Sequence, residues 1–349
     1  MITDILGWDV GGANIKVARI DPRVPGAPAV IEQPFPLWRD FDRLPSMLAE
    51  LGGRIVGAAD VAPPVMAITM TAELADCFAT KREGVAFLVS AFARAFPRSI
   101  RWVFATDGTF RSAEDARQQP HDVAAANWMA TAMLVARTHA DALLVDVGST
   151  TTDIVPIAGG RVVAAGRTDP ARLRSGELVY TGVLRTPVCA VIRSVPLEGG
   201  RSRVAAEHFA IAADAYRWLG KIHDGDYTCE TPDGRGRTAD AAGARLARMV
   251  CADRETIDVD DVTAIAVHVA DTQSRQIAHA IRQVLRRRAT VAPQAAVVAG
   301  AGAFLARAAA EAAGLAVRDL AAELGSAAAR AAPAAAVAHL LADMLCTPP

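Results

Sequence analysis

Two short turns in the sequence combine aspartate, glycine and small polar residues directly after an apolar stretch. The first reads DVGGANIK and runs from Asp9 to Lys16, and the second reads DVGSTTTD and runs from Asp146 to Asp153. Glycines allow a tight turn after a buried strand, and the backbone N–H groups and short hydroxyls of such a turn can hold a phosphate. Carboxylates beside a phosphate are ligands that Mg²⁺ prefers. Both turns therefore predict phosphate binding with a metal ion.

The residues of these turns fall into groups by their chemistry. Asp9, Asp146 and Asp153 carry carboxylates and are the predicted metal ligands, with Asp9 and Asp146 also predicted to be catalytic. A third stretch, VVAGAGAF (Val297–Phe304), places glycines after a predicted strand and suits the same close approach of a phosphate. The predicted phosphate-binding residues of the three stretches are Gly11, Gly12, Asn14, Lys16, Gly148, Ser149, Thr150, Thr151, Gly300 and Gly302.

Each stretch also has a plainer interpretation. An isolated D-x-G-G turn is often a simple β-turn, with Lys16 directed to solvent rather than to a phosphate. Helix–strand packing alone can account for the glycines that follow Val298. The consecutive hydroxyl residues Ser149–Thr152 have no evident packing role, so the second turn is the most specific of the three. The glycine spacing does not match G-x-G-x-x-G with a following ribose-binding acid, which disfavours a Rossmann fold.

The composition is that of a globular protein and excludes several functional classes. The chain has 349 residues, of which 52% are hydrophobic and 21% charged, and its formal net charge is −1. Disorder is therefore not expected, and no global charge draws the chain to nucleic acid or to a membrane surface. The five cysteines are scattered without C-x-x-C spacing, which favours reduced thiols and a cytoplasmic location. No apolar run is long enough to predict a membrane span.

Hydrophobic periodicity predicts two α/β domains of similar construction. The order β-β-β-α-β-α-β-α over the first domain, residues 1–139, is followed by a second hairpin at 142–157. The second domain is predicted to cover 140–327, with insertions at 168–195 and 224–238. The last helix, at about 328–349, is a candidate to join the first domain. Single helices are expected over Ala116–Ala136 and Ser274–Arg288, and the Ala-rich residues after 308 are expected to form amphipathic helices.

The three glycine-containing stretches, in this order, resemble the two phosphate motifs and the third glycine motif of the sugar kinase/Hsp70/actin superfamily. The resemblance implies an α/β fold of two ribonuclease H-like domains that close on a central phosphate-binding cleft. It also implies that Asp9 and Asp146 hold Mg²⁺ directly or through water, while backbone amides of both turns hold a phosphate chain.

A narrower resemblance extends over nearly the whole chain. The segments WDVGGANIK, MTAELADCF, ANWMATA, DVGSTTTDIVPI, SGELVYTGVLRTPV and AGAGAF are similar to those of the hydantoinase/oxoprolinase-related family of the tetrahydromethanopterin-linked C1 pathway. The resemblance implies an enzyme of methanofuran- or methylofuran-type biosynthesis. Its reaction would join an aminomethylfuran-methyl diphosphate to the phenol of tyramine, glutamyl-tyramine or tyrosine, with release of diphosphate. These small molecules would be its partners, with a homodimer left open, and ATP is not expected to be required.

This reaction would need little more than stabilisation of the leaving group and a place for the phenol. A furfuryl carbon bonded to diphosphate ionises readily, because the furan oxygen delocalises the positive charge. Mg²⁺ and turn amides would stabilise the departing diphosphate, and a carboxylate would accept the phenolic proton unless the phenol ionises late. The candidates for that carboxylate are Glu73, Asp76, Asp107 and Glu177, of which Glu73 and Glu177 are predicted to be catalytic. A strand-end carboxylate can alternatively cap the next helix.

Further polar and aromatic residues are candidates for substrate binding. They are Asp76, Asp107, Asn127, Trp128, Tyr180 and Arg185. Trp128 lies in an apolar helical pattern, so that core packing and stacking on the furan are both open. Two other functions use the same cleft and also remain open. One is an ATP-dependent kinase or a hydantoinase/oxoprolinase-type amide hydrolase, and the other is a nucleotide-binding scaffold without turnover.

Overall fold

A computed structural model of the chain describes residues 4–24, 26–57, 63–197, 199–287 and 293–346. The strands are β1 (Ile5–Val10), β2 (Asn14–Ile20), β3 (Ala29–Pro34), β4 (Val65–Met70), β5 (Arg101–Phe104), β6 (Phe110–Ser112), β7 (Ala142–Val147), β8 (Thr152–Ala158), β9 (Arg161–Val162), β10 (Leu178–Val179), β11 (Ser194–Leu197), β12 (Gly200–Arg203), β13 (Ala295–Ala299) and β14 (Val317–Asp319).

Helices lie between groups of these strands, and a 3₁₀ turn at Phe41–Arg43 separates the first two helices. They are α1 (Leu37–Asp40), α2 (Leu44–Val56), α3 (Lys81–Ala95), α4 (Ala113–Gln118), α5 (Pro120–Val123), α6 (Asn127–Ala136), α7 (Asp169–Ser175), α8 (Val188–Val191), α9 (Ala212–Trp218), α10 (Ala239–Arg248), α11 (Val259–Arg287), α12 (Ala303–Ala312), α13 (Leu320–Leu324), α14 (Ser326–Arg330) and α15 (Ala332–Cys346). Within the described ranges, no helix combines the length and the apolar character that crossing a bilayer requires.

The first of two compact units comprises Met1–Ala142, Val155–Arg172 and Asp319–Pro349. Its sheet has the order β3-β2-β1-β4-β5-β6. Strands β1, β2 and β3 form an antiparallel meander, whereas β4 pairs in parallel with both β1 and β5. Parallel strands end at the same edge of a sheet, so the turn after β1 and the loop after β4 begin side by side. This edge is where the sequence places Asp9 and Glu73.

The second unit comprises Leu143–Ile154 and Leu173–Arg318. The second sheet has the order β10-β8-β7-β13-β14, with β9 also paired to β8. Its first hairpin, β7 and β8, corresponds to β1 and β2 in the first sheet. In both hairpins a glycine turn follows an apolar first strand. The glycine stretch after β13 lies beside the end of β7, since Gly302 N donates a hydrogen bond of 2.8 Å to Val147 O. The order of strands in the two sheets confirms the prediction of two α/β units.

The bounds of the units differ from a simple division of the chain into halves. The sequence predicts a continuous second domain over 140–327 and a last helix at about 328–349 that is a candidate to join the first domain. The first unit contains Val155–Arg172 and Asp319–Pro349. Helix α15 packs against β1 so closely that a Cβ atom at Gly7 would lie 2.0 Å from Ala334 O. All residues of Ala332–Ala338 are buried. This part of α15 is therefore buried all round rather than amphipathic, and its alanines permit the close approach to the strand.

Two helices predicted from periodicity have different bounds in the structure. The expected helix over 116–136 is three helices, because Pro120 starts α5 and Ala125 has a φ of +50° that no helix continues. Helix α11 starts at Val259, well before the predicted Ser274. Its first half contains β-branched residues with low helix propensity, yet tertiary packing of one apolar face keeps it helical.

Candidate functional site

Each of the two aspartate–glycine turns is closed by an equivalent backbone hydrogen bond. Gly11 N donates to Asn14 O at 2.9 Å, and Gly148 N donates to Thr151 O at the same distance. In each turn the donor is the glycine two residues after the aspartate, and the acceptor closes a tight loop into the next strand. The likeness seen in the sequence is therefore also a likeness of backbone geometry.

The carbonyl oxygens of both turns face neighbouring loops. In the first turn, Gly12 O accepts a hydrogen bond of 3.0 Å from Leu37 N and Ala13 O one of 2.8 Å from Phe35 N. Asn14 adds a buried side-chain oxygen, Oδ1, that has no hydrogen-bond partner among the described residues. A buried oxygen of this kind normally has a partner, so a bound ligand is a candidate for it.

The second turn, Gly148–Thr151, is called the hydroxyl turn below. Its carbonyls accept hydrogen bonds from the loop that follows β10: Gly148 O from Val183 N at 3.0 Å, and Ser149 O from Leu184 N and Arg185 N at 3.1 and 2.9 Å. Among the described residues, no backbone carbonyl accepts a hydrogen bond from the backbone N–H of Ser149, Thr150 or Thr151. A turn whose carbonyl groups are hydrogen-bonded and whose N–H groups remain available suits an anion.

Lys16 contacts a helix end and a carboxylate within the first unit. Its ammonium donates a hydrogen bond of 2.8 Å to Arg330 O, at the last residue of α14, and lies 3.8 Å from Glu32 Oε1. A cation at a helix C-terminus is favourable, because the helix dipole is negative there. These contacts favour a structural role for Lys16 over the predicted phosphate contact.

Gly300 and Gly302 pack directly against the end of β7. A Cβ atom at Gly300 would lie 2.3 Å from Asp146 Oδ1 and 2.3 Å from Val147 O, and one at Gly302 would lie 2.5 Å from Val147 Cγ1. The two glycines are thus required for packing, and their predicted phosphate contact stays a prediction. The same packing sets the position of the Asp146 carboxylate, which is half-buried.

Gly300→Ala is expected to destabilise the protein far more than Gly314→Ala. Both glycines have the same left-handed backbone, with φ of +87° and +85°, but nothing lies within 4 Å of a Cβ at Gly314. The backbone strain, about 1–2 kcal/mol, is then common to both, and overpacking against Asp146 adds about 1–3 kcal/mol at Gly300 alone. Denaturant unfolding of the two variants measures the difference. Equal losses of stability would contradict this packing.

Glu73 is the most deeply buried of the candidate carboxylates after β4 and β5. Its exposed fraction is 1%, and Gly84 of α3 contacts its backbone so closely that a Cβ there would lie 2.0 Å from Glu73 O. Its Oε1 lies 3.4 Å from Lys81 Nζ, and Lys81 Nζ lies 2.7 Å from Asp169 Oδ2. The other oxygen, Glu73 Oε2, has no hydrogen-bond partner among the described residues. The three residues form a carboxylate–ammonium–carboxylate cluster within the first unit.

Burial and the neighbouring charges shift the pKa values of Glu73 and Lys81 in this cluster. Burial raises the pKa of the Glu73 carboxyl above its ordinary value, although the Lys81 ammonium acts in the opposite direction. Burial acts to lower the pKa of Lys81, but the hydrogen bond to Asp169 and the charge of Glu73 outweigh it and raise that pKa. Lys81 therefore stays protonated, while Glu73 takes up a proton more readily than an exposed carboxylate. This is the property of a general acid or base.

The other candidate carboxylates have more local partners. Glu177 is buried and accepts a hydrogen bond of 2.9 Å from Ser175 Oγ at its Oε2, whereas Asp76 is exposed. Asp107 accepts from Thr109 N and pairs with Arg111 at 2.6 Å. Partial burial acts to raise the pKa of Asp107, but these donors hold it below its ordinary value. Asp107 thus shapes its own turn, which favours a structural role.

The predicted substrate-binding aromatics differ in exposure. Trp128 is 2% exposed, and the Arg172 guanidinium carbon lies 4.0 Å from its ring centroid, so that this face already carries a cation–π contact. These contacts favour packing in the first unit over stacking on a furan. Asn127 accepts a hydrogen bond from Trp128 N at the start of α6. In contrast, Tyr180 is 70% exposed, and Arg185 adjoins the hydroxyl turn through the hydrogen bond from its backbone N–H.

The predicted metal ligands do not belong to a preformed cluster of metal-binding side chains among the described residues. In the ranges that the structure describes, no three His, Cys, Asp or Glu residues lie together in a way that could hold an ion. Asp9 is 7% exposed at the end of β1, Asp146 is half-buried beside Gly300, and Asp153 is paired with Leu178 in β8. Mg²⁺ is commonly bound by one or two carboxylates together with substrate phosphates and waters. Asp9 lies in β1 and Asp146 in β7, each two residues before the glycine of its turn.

Lys81, Asp169, Gly182 and Gln273 were not among the residues predicted from the sequence. Lys81 is the first residue of α3, where the helix dipole disfavours a cation, and it is a rare lysine in an arginine-rich chain. These two signals could have identified it. Gly182 packs on the hydroxyl turn, since a Cβ there would lie 2.5 Å from Thr150 N. The sequence motif around it, TGVLRTP, gave no indication of that contact.

The insertion at 224–238 is tied down by a buried ion pair. Arg245 and Asp214 are fully buried and lie 2.8 Å apart, and Arg245 also contacts Asp233 Oδ1 at 3.1 Å. Tyr227 donates a hydrogen bond of 2.9 Å to Asp214 Oδ1. The loop therefore has a fixed anchor, and its arginines at 235 and 237 are exposed.

Comparison with known proteins finds a family and several relatives of this chain. The hydantoinase/oxoprolinase family model matches residues 65–344. A protein from Methanocaldococcus jannaschii named (4-{4-[2-(gamma-L-glutamylamino)ethyl]phenoxymethyl}furan-2-yl)methanamine synthase is 41% identical over 260 residues, which cover 74% of this chain and 74% of that protein. A protein of the same name from Methanococcus vannielii is 39% identical over 125 residues, which cover 36% of this chain and 56% of that protein. The ethanolamine utilization protein EutJ from Carboxydothermus hydrogenoformans is 15% identical, with a TM-score of 0.48 over 97% of this chain and 90% of that chain.

Proposed function

Because the chain belongs to the hydantoinase/oxoprolinase family, we propose that it is a transferase of methanofuran-type C1-carrier biosynthesis. The observation that carries the proposal is its 41% identity to a furan-methanamine synthase over 74% of both chains. The donor is proposed to be an aminomethylfuran-methyl diphosphate, and the acceptor the phenol of tyramine, glutamyl-tyramine or tyrosine. The name of the relative contains the phenoxymethyl-furan ether that such a reaction would form.

The site residues suit the chemistry of this proposed reaction. The bond between the furfuryl carbon and the diphosphate oxygen breaks, and its electron pair leaves with the diphosphate. The phenol oxygen forms the new bond to that carbon, and the phenolic proton passes to a carboxylate. The hydroxyl turn has N–H groups that can bind the diphosphate. The guanidinium of Arg185, whose backbone adjoins the turn, is proposed to bind it as well.

Glu73 is the proposed acceptor of the phenolic proton. Its burial, its oxygen without a hydrogen-bond partner among the described residues, and its raised pKa favour it over Glu177, which stays the second candidate. Asp9 and Asp146 are the proposed ligands of Mg²⁺, which when bound would neutralise charge on the diphosphate. Exposed Tyr180 and Asp76 are proposed to contact the acceptor.

Turnover without nucleotide is the expected result that separates the candidate functions. Purified protein is incubated with the furan diphosphate, each of the three phenols in turn, and Mg²⁺, and the ether is measured by mass spectrometry beside released diphosphate. We expect equimolar ether and diphosphate in the absence of ATP. A strict ATP requirement would overturn the transferase and favour the kinase or the ATP-dependent amide hydrolase, for which hydantoin and 5-oxoproline are the test substrates. Binding of nucleotide without any turnover would favour the scaffold.

A further inference from the structure

We propose that Gln273, in the middle of α11, is the positioning residue that sets the affinity of the hydroxyl turn for a diphosphate. The hydrogen bonds described for Gln273 go to Tyr216 and to the loop Thr181–Thr186, called the brace below, through which it acts. The inference rests on the proposed function only in assigning an anion to the hydroxyl turn. All the residues concerned belong to the second unit.

The brace is the structure against which the hydroxyl turn is built. Three consecutive backbone N–H groups of the brace, those of Val183, Leu184 and Arg185, donate to Gly148 O and Ser149 O at 2.9–3.1 Å. Gly182 lies flat on the Ser149–Thr150 peptide, where a Cβ would come within 2.6 Å of backbone atoms. Since a peptide plane fixes its carbonyl and its N–H together, a shift of the brace redirects the N–H groups of the turn.

Gln273 holds the brace through both ends of its amide. Its Nε2 donates to Thr181 Oγ1 at 2.7 Å and to Gly182 O at 2.8 Å. Its Oε1 accepts from Tyr216 OH at 2.8 Å, which fixes which way the amide is turned. Thr186 Oγ1 accepts from Gly182 N at 2.8 Å and donates to Gly182 O at 3.1 Å, so that Gly182 is held from two sides.

Because this hydrogen-bond network is buried, the loss of one donor or acceptor atom is expected to disturb it. Gln273 is fully buried, and Tyr216, Thr181 and Thr186 are 2%, 3% and 7% exposed. Water cannot replace a lost donor there at no cost, and a buried acceptor left without its donor is expensive. A packing role alone would be met by an apolar side chain of the same size. Only an amide supplies two donors to the brace and an acceptor to Tyr216.

The test measures binding of inorganic diphosphate with Mg²⁺ to the whole protein by calorimetry. Gln273→Glu keeps the shape and the acceptor for Tyr216 but loses the donors to Thr181 Oγ1 and Gly182 O, and Gln273→Leu loses these donors and the acceptor. We expect each to weaken diphosphate binding about tenfold or more and to raise the KM for the furan diphosphate more than it lowers kcat. The matched control is Gln276→Leu on the same helix, because Gln276 donates to Val191 O at 3.3 Å and not to the brace. It is expected to bind diphosphate like the unchanged protein.

Two results would overturn the proposal. One is a Gln273 variant that loses thermal stability yet binds diphosphate as tightly as the control, which would make the residue merely structural. The other is an unchanged protein that does not bind diphosphate at all. If Gln273→Leu does not fold, Thr186→Val removes the second support of Gly182 without altering α11 and is expected to weaken diphosphate binding in the same way. Failure of the proposed transferase shows separately, as diphosphate binding without ether formation.

Discussion

Glu73→Gln is expected to lower kcat about a hundredfold or more while inorganic diphosphate still binds with unchanged affinity. The amide keeps the size of the side chain but cannot accept the phenolic proton. Because the carboxylate must be ionised to act, the rate of the unchanged enzyme should rise with pH as Glu73 loses its proton. Since burial raises the pKa of Glu73, this acid limb should lie above the ordinary range of a glutamate.

Lys81→Met gives the pH profile a second, directional test. Removal of the ammonium 3.4 Å from Glu73 Oε1 removes a group that favours the ionised carboxylate. The pKa of Glu73 should rise further, and the acid limb should move to higher pH. The control is Glu83→Gln, because Glu83 accepts from Ala79 N at the start of the same helix and glutamine also serves there. An acid limb that stays in place in Glu73→Gln would exclude Glu73 as the titrating base.

Asp146→Asn is expected to lower kcat about a hundredfold or more without unfolding the protein. The amide fits the space beside Gly300, so that packing at the end of β7 is kept, but the negative charge proposed to hold Mg²⁺ is lost. The Mg²⁺ concentration needed for half-maximal rate should rise in parallel. Asp141→Asn is the control at the other end of β7, where an amide oxygen can still accept from Gly159 N.

The outcome for Asp146→Asn also distinguishes an enzyme from a scaffold. A variant that keeps its melting temperature and loses its turnover is expected of an enzyme. Unchanged turnover with an unchanged Mg²⁺ requirement would remove Asp146 from the proposed metal site. In that case Asp9, which ends β1 in the equivalent place, would be the ligand to replace next.

The sequence was most informative where local rules decide the structure. Strands β1 and β2 have the predicted bounds, because alternating apolar residues flank a glycine turn. The aspartate–glycine turns were recognisable for the same reason, since the residues that shape each turn are adjacent in the chain. The prediction of a single helix over Ala116–Ala136 was wrong, because the periodic apolar pattern continues across Pro120 and across Ala125, which has a left-handed backbone.

The site contacts that arise between distant segments could not be read in this way. Lys81 and Asp169 are 88 residues apart, and Gln273 and Thr181 are 92 residues apart. No local periodicity relates such pairs, and only the packing of the finished fold brings them together. Gln273 was further hidden because it lies just before the predicted start of its helix. Its role became apparent only from the direction of each hydrogen bond that it makes.

The burial of β1 under α15 has a consequence for the order in which a nascent chain can fold. Helix α15 leaves the ribosome after all of the second unit, yet it covers Gly7 near the start of the chain. Domains usually fold in the order of their synthesis. Synthesis of the first unit begins before that of the second unit and ends after it. The first strands therefore keep an apolar face exposed until α15 has been synthesised. We therefore expect the β1–β4 region to need protection from aggregation during that interval.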